Sequence, residues 1–152
     1  MDNPNEPQLR HQIKLLLKEY PGAILFLEIY NQYVHCIDDL VDEAAFRNDP
    51  ENILRMANLA SACFSTDFWR QNAHILLPIE QMANNTYADS IVWERSPDEK
   101  KKVAADTLRH SGLDIYLKTV EICCGREALR ELSPLIREHT LIIQTDEPNK
   151  QT

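Results

Sequence analysis

The sequence predicts an all-α protein, a single-domain bundle of five to seven helices. Three observations favour this fold class. Only 3 of the 152 residues are glycine, whereas sheet proteins commonly use more glycine in their tight turns. Apolar residues recur at helical spacing between prolines and capping residues. No long segment alternates apolar and polar residues, and residues 140–144 are the one place where a short strand would fit.

The length corresponds to one ordinary domain, which can build a hydrophobic core without disulfides or a structural metal. We predict a single helical domain over residues 7–144. Residues 1–6 and 145–152 are polar and contain proline, so we predict that both ends are flexible.

The first three helices are predicted from their boundaries. The first covers residues 8–19 and stops before a proline, and the second runs over residues 22–46. The third begins after Asp49, with Asp49 as the N-cap and Pro50 at the first helical position. Its apolar stripe contains Ile53, Met56, Leu59, Ala60 and Cys63.

Proline also divides the next predicted segment. A proline inside a helix removes a hydrogen bond and clashes with the preceding turn. We therefore expect Pro78 to kink the helix or to separate two short helices, over residues 67–77 and 78–93.

Two further helices complete the predicted bundle. Ser96 is placed as an N-cap, with Pro97 at the first helical position and Glu99 closing a capping box. This helix is expected to reach residue 124, where a glycine can end it. The last helix is predicted over residues 126–143.

Composition excludes several functional classes. The net charge is −8, and nucleic-acid binding depends on Lys and Arg that neutralise phosphates, so we expect no nucleic-acid partner. The longest apolar run, residues 22–27, is too short to cross a bilayer, so we expect no membrane insertion. The N-terminus resembles no secretory signal. The four cysteines form no C-x-x-C pair, and we interpret them as reduced core residues of a cytoplasmic protein.

The second predicted helix has two contrasting faces. Its apolar stripe, which contains Tyr30, Val34, Ile37 and Val41, is expected to be buried in the centre of the bundle. On its polar side, successive steps of +4, +3, +4 and +3 place five side chains on one line: Glu28, Gln32, His35, Asp39 and Asp42.

The acids of this helix suggest a metal site. No Lys or Arg lies between Lys18 and Arg47, and acids crowd the C-terminal end of the helix. The helix dipole disfavours anions there by roughly 0.3–1 kcal/mol each. Carboxylates suit Mg²⁺ or Mn²⁺, which would compensate this cost. The metal candidates are Asp38, Asp39 and Asp42, with Glu28 and His35 as additional ligands. The alternative is an acidic face that only keeps the protein soluble.

Residues 33–43 contain the pattern Asp38-Asp39-x-x-Asp42. This segment of about a dozen residues resembles the first aspartate-rich helix of type I isoprenoid synthases, and the squalene and phytoene synthase branch in particular. The resemblance implies that the three aspartates hold Mg²⁺ ions, which in turn grip the diphosphate of a substrate.

Type I synthases need a second acidic helix that faces the first. The helix predicted to reach residue 124 has Asp106, His110 and Asp114 at positions i, i+4 and i+8, followed by Glu121. His110 and Asp114 are therefore further metal candidates. The alternative is that His110 simply pairs with Asp114 on the same helix.

Two functional hypotheses from different classes remain open. In the first, the protein binds a divalent metal and a small diphosphate-containing ligand, and the sequence does not decide whether it is also an enzyme. In the second, it is a non-enzymatic, acidic helical interaction protein that acts through a dimer or partner surface without metal. We also predict a two-fold homodimer, because cyclic dimers are the commonest oligomers.

Overall fold

The computed structural model describes the backbone of residues 6–146 and the side chains of residues 9–140. Every regular element in that part of the chain is a helix, which confirms the predicted all-α class. Seven helices have eleven residues or more, and α3 is a single turn of four. In chain order the helices are α1 (Glu6–Leu16), α2 (Pro21–Asp42), α3 (Ala44–Arg47), α4 (Pro50–Cys63), α5 (Asp67–Glu94), α6 (Glu99–Arg109), α7 (Leu113–Cys124) and α8 (Arg126–Asp146).

The two chain ends were predicted to be flexible over residues 1–6 and 145–152. Residues 1–5 and 147–152 lie outside the described residues, so this prediction falls largely there. Glu6 belongs to α1, and α8 includes residues 145 and 146. The alternative of a short strand at residues 140–144 was wrong, because this segment continues α8. No helix between residues 6 and 146 combines the length and the apolar character that a membrane crossing requires.

The helices group into two compact units. The α2–α4 unit comprises residues 18–76, and the α6–α8 unit comprises residues 1–17 and 77–152. The boundary falls inside α5, just before Pro78. The expected division into two short helices was wrong, because α5 continues through Pro78. Buried residues on both sides, Leu76 and Ala83, supply packing that offsets the lost hydrogen bond.

Aromatic side chains, with Phe26, Tyr30 and Trp69 buried, form a large part of the core of the α2–α4 unit. The Phe26 ring lies 5.5–5.8 Å from the rings of Tyr30, Phe68 and Trp69. The Phe64 ring lies 4.7 Å from that of Trp69 and 5.6 Å from that of Tyr33. The ring cluster therefore consists of side chains from α2, α5 and the turn between α4 and α5: Phe26, Tyr30, Tyr33, Phe64, Phe68 and Trp69.

The expected apolar stripe of α2 is buried only in part. Tyr30 is buried, whereas Val34, Ile37 and Val41 are half-buried. The ring cluster packs against the N-terminal half of α2. At the C-terminal half, the neighbouring elements of this unit are the one-turn α3 and the start of α4. This half of the stripe keeps partial contact with water.

In the α2–α4 unit, the predicted start of α4 is correct, whereas the predicted end of the second helix is wrong. Asp49 caps α4 as predicted, and its carboxylate accepts a hydrogen bond of 3.0 Å from the backbone N–H of Glu51. The second helix was predicted to reach residue 46, but α2 ends at Asp42 because Glu43 adopts an extended conformation. The chain then forms the separate turn α3.

Aliphatic side chains dominate the core of the α6–α8 unit. Ile115, Val120 and Ile136 are essentially inaccessible to water, and α1 packs against both α7 and α8. The predicted cap of α6 was displaced by two residues. Asp98 is the N-cap and accepts from the N–H of Lys100 at 2.9 Å, while Ser96 Oγ accepts from the N–H of Asp98 at 3.1 Å.

The long helix predicted to reach residue 124 is two helices. The backbone leaves the helical path at His110, and α7 begins three residues later at Leu113. Gly112 lies in this break and contributes to it, because glycine is the least favourable helix residue after proline. Gly125, with φ at 90°, ends α7 as predicted.

Candidate functional site

The acidic face of α2 consists of Glu28, Gln32, His35, Asp39 and Asp42. All five side chains are exposed, as the regular spacing along one side of the helix requires. Asp38 lies beside this line and is half-buried. From the first to the last residue the face spans about 21 Å of helix at 1.5 Å per residue.

A cation that the sequence interpretation missed lies at the C-terminus of α2. One guanidinium nitrogen of Arg47 donates to the carbonyl oxygens of Leu40 at 2.9 Å and Val41 at 3.2 Å. These carbonyls carry the negative end of the helix dipole, so a positive group stabilises them. The turn of α3 returns Arg47 to the end of the helix. Arg47 is the first Lys or Arg after Lys18, and this position close to the end of the helix could have indicated its role.

Arg47 supplies positive charge at the end of α2. From the sequence alone, acids at this end are expected to require compensation by divalent cations. The structure supplies a protein cation at the dipole itself, at hydrogen-bonding distance. Compensation of the dipole therefore does not require a metal ion.

The predicted ligands have suitable chemistry for a hard cation, because carboxylate oxygens are preferred by Mg²⁺. A metal site also requires that several of these side chains converge on one point. Across the part of the chain that the structure describes, no three or more His, Cys, Asp or Glu side chains converge in a way that could hold a metal ion. The assignment of Mg²⁺ or Mn²⁺ to Asp38, Asp39 and Asp42 stays a prediction.

The second set of candidates is distributed over two helices. His110 follows the last residue of α6, so its expected continuous spacing with Asp106 and Asp114 on one helix was wrong. The Nδ1 of His110 lies 2.8 Å from the carbonyl oxygen of Asp106. Because a carbonyl oxygen only accepts, Nδ1 is the donor of a hydrogen bond between these two atoms.

The carboxylates on α7 have partners of their own. Asp114 accepts a hydrogen bond of 3.0 Å from Arg137 on α8, and Glu121 lies 3.3 Å from the ammonium group of Lys118. The expected pairing of His110 with Asp114 is therefore absent from the described residues. His110 contacts the Asp106 carbonyl oxygen, and Asp114 contacts Arg137. Arg137 is the residue that the sequence interpretation missed here, and no local spacing rule connects it with α7.

The cysteines offer no activated nucleophile. All four are free thiols, and Cys36 and Cys63 are buried. Burial, and secondarily the neighbouring Cys124, raises the pKa of Cys123 from 9.0 to about 11. Burial also raises the pKa of Cys124, whose Sγ lies 3.3 Å from the carbonyl oxygen of Leu16. Because the thiolate is the reactive form, these shifts lower reactivity.

Comparison with known proteins does not assign this site. No protein-family model matches the chain, and neither a curated protein nor a solved structure is detectably similar to it.

Proposed function

We propose that the protein is a non-enzymatic helical interaction protein whose acidic α2 face binds a positively charged helical segment of a partner. The observation that carries this proposal is the exposure of every side chain on the line from Glu28 to Asp42. Free thiols in the described chain agree with a reducing compartment, and we place this interaction in the cytoplasm.

Charge distribution supports the same function. Residues 18–76 contain nine Asp and Glu against four Lys and Arg, which leaves a net charge of −5. An excess of one sign attracts an oppositely charged partner and accelerates its association. The steps of three and four residues along the face match those of a helix with Lys or Arg along one side. We therefore expect a cationic amphipathic helix as the partner.

A binding titration with a lysine-rich helical peptide tests this function. The parent protein should bind the peptide, and the affinity should fall steeply between about 50 and 300 mM NaCl because charge screening weakens the attraction. The triple variant Glu28→Gln, Asp39→Asn, Asp42→Asn should lose at least about tenfold in affinity, which corresponds to ~1.4 kcal/mol.

A matched control variant distinguishes an effect of the acidic α2 face from an effect of the overall net charge. The variant Glu127→Gln, Glu131→Gln, Glu138→Gln neutralises three exposed acids of α8 and changes the net charge from −8 to −5, as the first variant does. It should retain binding within about twofold. Equal losses in the two variants would show that the peptide responds to overall charge, and the proposed face would then be wrong.

The second candidate function is the binding of divalent metal and a small diphosphate-containing ligand at Asp38, Asp39 and Asp42. Its support is the exposure of Asp39 and Asp42 beside Asp38 in the last turns of α2, together with the isoprenoid-synthase resemblance. Mg²⁺ or Mn²⁺ would be the cofactor, and would supply the positive charge that holds the diphosphate.

Thermal melts distinguish the two candidates. A metal site should stabilise the parent by about 2.7 kcal/mol at a hundredfold excess of Mg²⁺ over Kd. The variant Asp39→Asn, Asp42→Asn should lose that response. For an interaction face without metal, the same variant should be slightly more stable than the parent, by a few tenths of a kcal/mol, with or without Mg²⁺. NaCl of matched ionic strength controls for charge screening.

A further inference from the structure

A second surface, on α4, exposes apolar side chains to solvent. Only Cys63 of its 14 residues is buried, while Leu54 and Ile53 are 53% and 43% exposed. This helix carries a shallow depression of about 340 Å³. Its lining consists of five side chains of α4: Glu51, Leu54, Arg55, Asn58 and Leu59.

The depression has the geometry of a helix-packing hole. Relative to Glu51, the lining residues Leu54, Arg55 and Asn58 follow at i+3, i+4 and i+7. Four residues at this spacing surround the hole that receives one side chain of an opposing helix in knobs-into-holes packing. Leu54 is exposed and has the shape of such an inserted side chain, so α4 presents both the hole and a side chain that can fill one.

The charges beside Leu54 are self-complementary. Within the described residues, neither the Glu51 carboxylate nor the Arg55 guanidinium is part of an ion pair. If two copies of α4 pack antiparallel about a two-fold axis near Leu54, each Glu51 comes within about one helical turn, ~5.4 Å, of the partner's Arg55. A parallel arrangement would instead bring the Glu51 side chains together, and like charges repel.

We propose that the α4 face is a self-association interface, occupied by the α4 of a second copy of this chain in antiparallel orientation. Leu54 of each copy enters the depression of the other, and the Glu51 and Arg55 pairs flank it. This surface is distinct from the acidic face of α2, so either proposal can fail without the other. One helix of 14 residues offers less than a standard interface, so we expect a weak dimer with Kd of roughly 10–100 µM.

Sedimentation velocity over roughly 10–500 µM protein tests the interface at concentrations that span this affinity. The average mass of the parent should rise from 17.6 kDa toward twice that value. Leu54→Glu should remain monomeric. Leu135→Glu is the matched control, because Leu135 is a comparably exposed leucine, 47%, on α8, and this variant should dimerise like the parent. A parent that remains monomeric, or a Leu54→Glu variant that dimerises normally, would overturn the proposal.

Charge reversal supplies a test that local misfolding cannot imitate. Arg55→Glu alone and Glu51→Arg alone should each be monomeric, because each places like charges across the two-fold axis. An equimolar mixture of the two variants should dimerise, since both pairs of opposite charges are restored between unlike copies. If the mixture sediments as monomers under conditions where the parent dimerises, the antiparallel interface is wrong.

Discussion

The two units of the chain use charge differently. The α6–α8 unit contains fifteen acidic and twelve basic residues, and ion pairs such as Arg109–Glu94 and Arg137–Asp114 connect its successive helices. The α2–α4 unit has an acidic excess of five and an exposed acidic face, while a cluster of six aromatic rings contributes to its core. Where aromatic packing holds a unit together, charged side chains can remain on its surface.

The largest expected effect comes from the ring cluster. Phe26 is completely buried and its ring contacts three other rings, so Phe26→Ala should destabilise the protein by about 3–5 kcal/mol through a cavity and lost apolar burial. Phe46→Ala, at a half-buried position of α3, is the control and should cost clearly less. Urea unfolding measures both. A cost below about 1 kcal/mol for Phe26→Ala would mean that the rings do not hold the α2–α4 unit together.

Substitution of Arg109 tests how much a charged side chain contributes to the stability of the α6–α8 unit. Its guanidinium lies 2.7 Å from Glu94 and 5.3 Å from the centre of the Tyr87 ring. Arg109 is 13% exposed but Glu94 is 55% exposed, so solvent screening limits the ion pair. We expect Arg109→Met to cost about 1–2 kcal/mol in urea unfolding.

Arg137→Met is the control for this comparison. Its ion pair with Asp114 has both side chains more than half exposed, so its loss should cost less than about 0.5 kcal/mol. Equal costs for the two substitutions would indicate that ion pairing, rather than the packing of Arg109 on Tyr87, determines the effect.

Substitution of Arg47 tests how much this cation stabilises the acidic C-terminal end of α2. Arg47→Ala removes the guanidinium from the last carbonyls of the helix and should cost about 0.5–1 kcal/mol at low salt. The loss should shrink in about 0.5 M NaCl, because the dipole interaction is screened. Arg70→Ala, an exposed arginine of the same unit, should be nearly neutral. If both substitutions behave alike, the contacts of Arg47 contribute nothing specific.

The last prediction concerns the chemical reactivity of the thiols of the α6–α8 unit. With a pKa of about 11 against 9.0, Cys123 at pH 9 should react with iodoacetamide roughly fiftyfold more slowly than an unperturbed thiol. Peptide mass spectrometry at pH 9, with the urea-unfolded chain as reference, measures this ratio. Equal rates in the folded and unfolded chains would contradict the burial of the thiol.

The same shift determines the sign of a pH effect on stability. The raised pKa means that the unfolded chain releases the Cys123 proton more readily. The contribution of this thiol to stability is therefore present below about pH 9 and is lost as the pH rises toward about 11.

Sequence reasoning succeeded where a short-range pattern determines the structure. Asp49 and Pro50 define the start of α4, and Gly125 ends α7, because capping and backbone conformation depend on a few neighbouring residues. The alignment of the five polar side chains from Glu28 to Asp42 along one side of α2 follows in the same way from helical periodicity. These predictions required no knowledge of which helices pack together.

The sequence by itself therefore determined the helical class, most helix positions and the alignment of the polar side chains along one side of α2, since each depends on local spacing. Tertiary structure decided the rest. Packing on both sides of Pro78 keeps α5 continuous, and a separate turn returns Arg47 to the end of α2. The partner of Asp114 lies 23 residues away on α8. No propensity or periodicity encodes such contacts, because they arise only when distant segments come together in the folded chain.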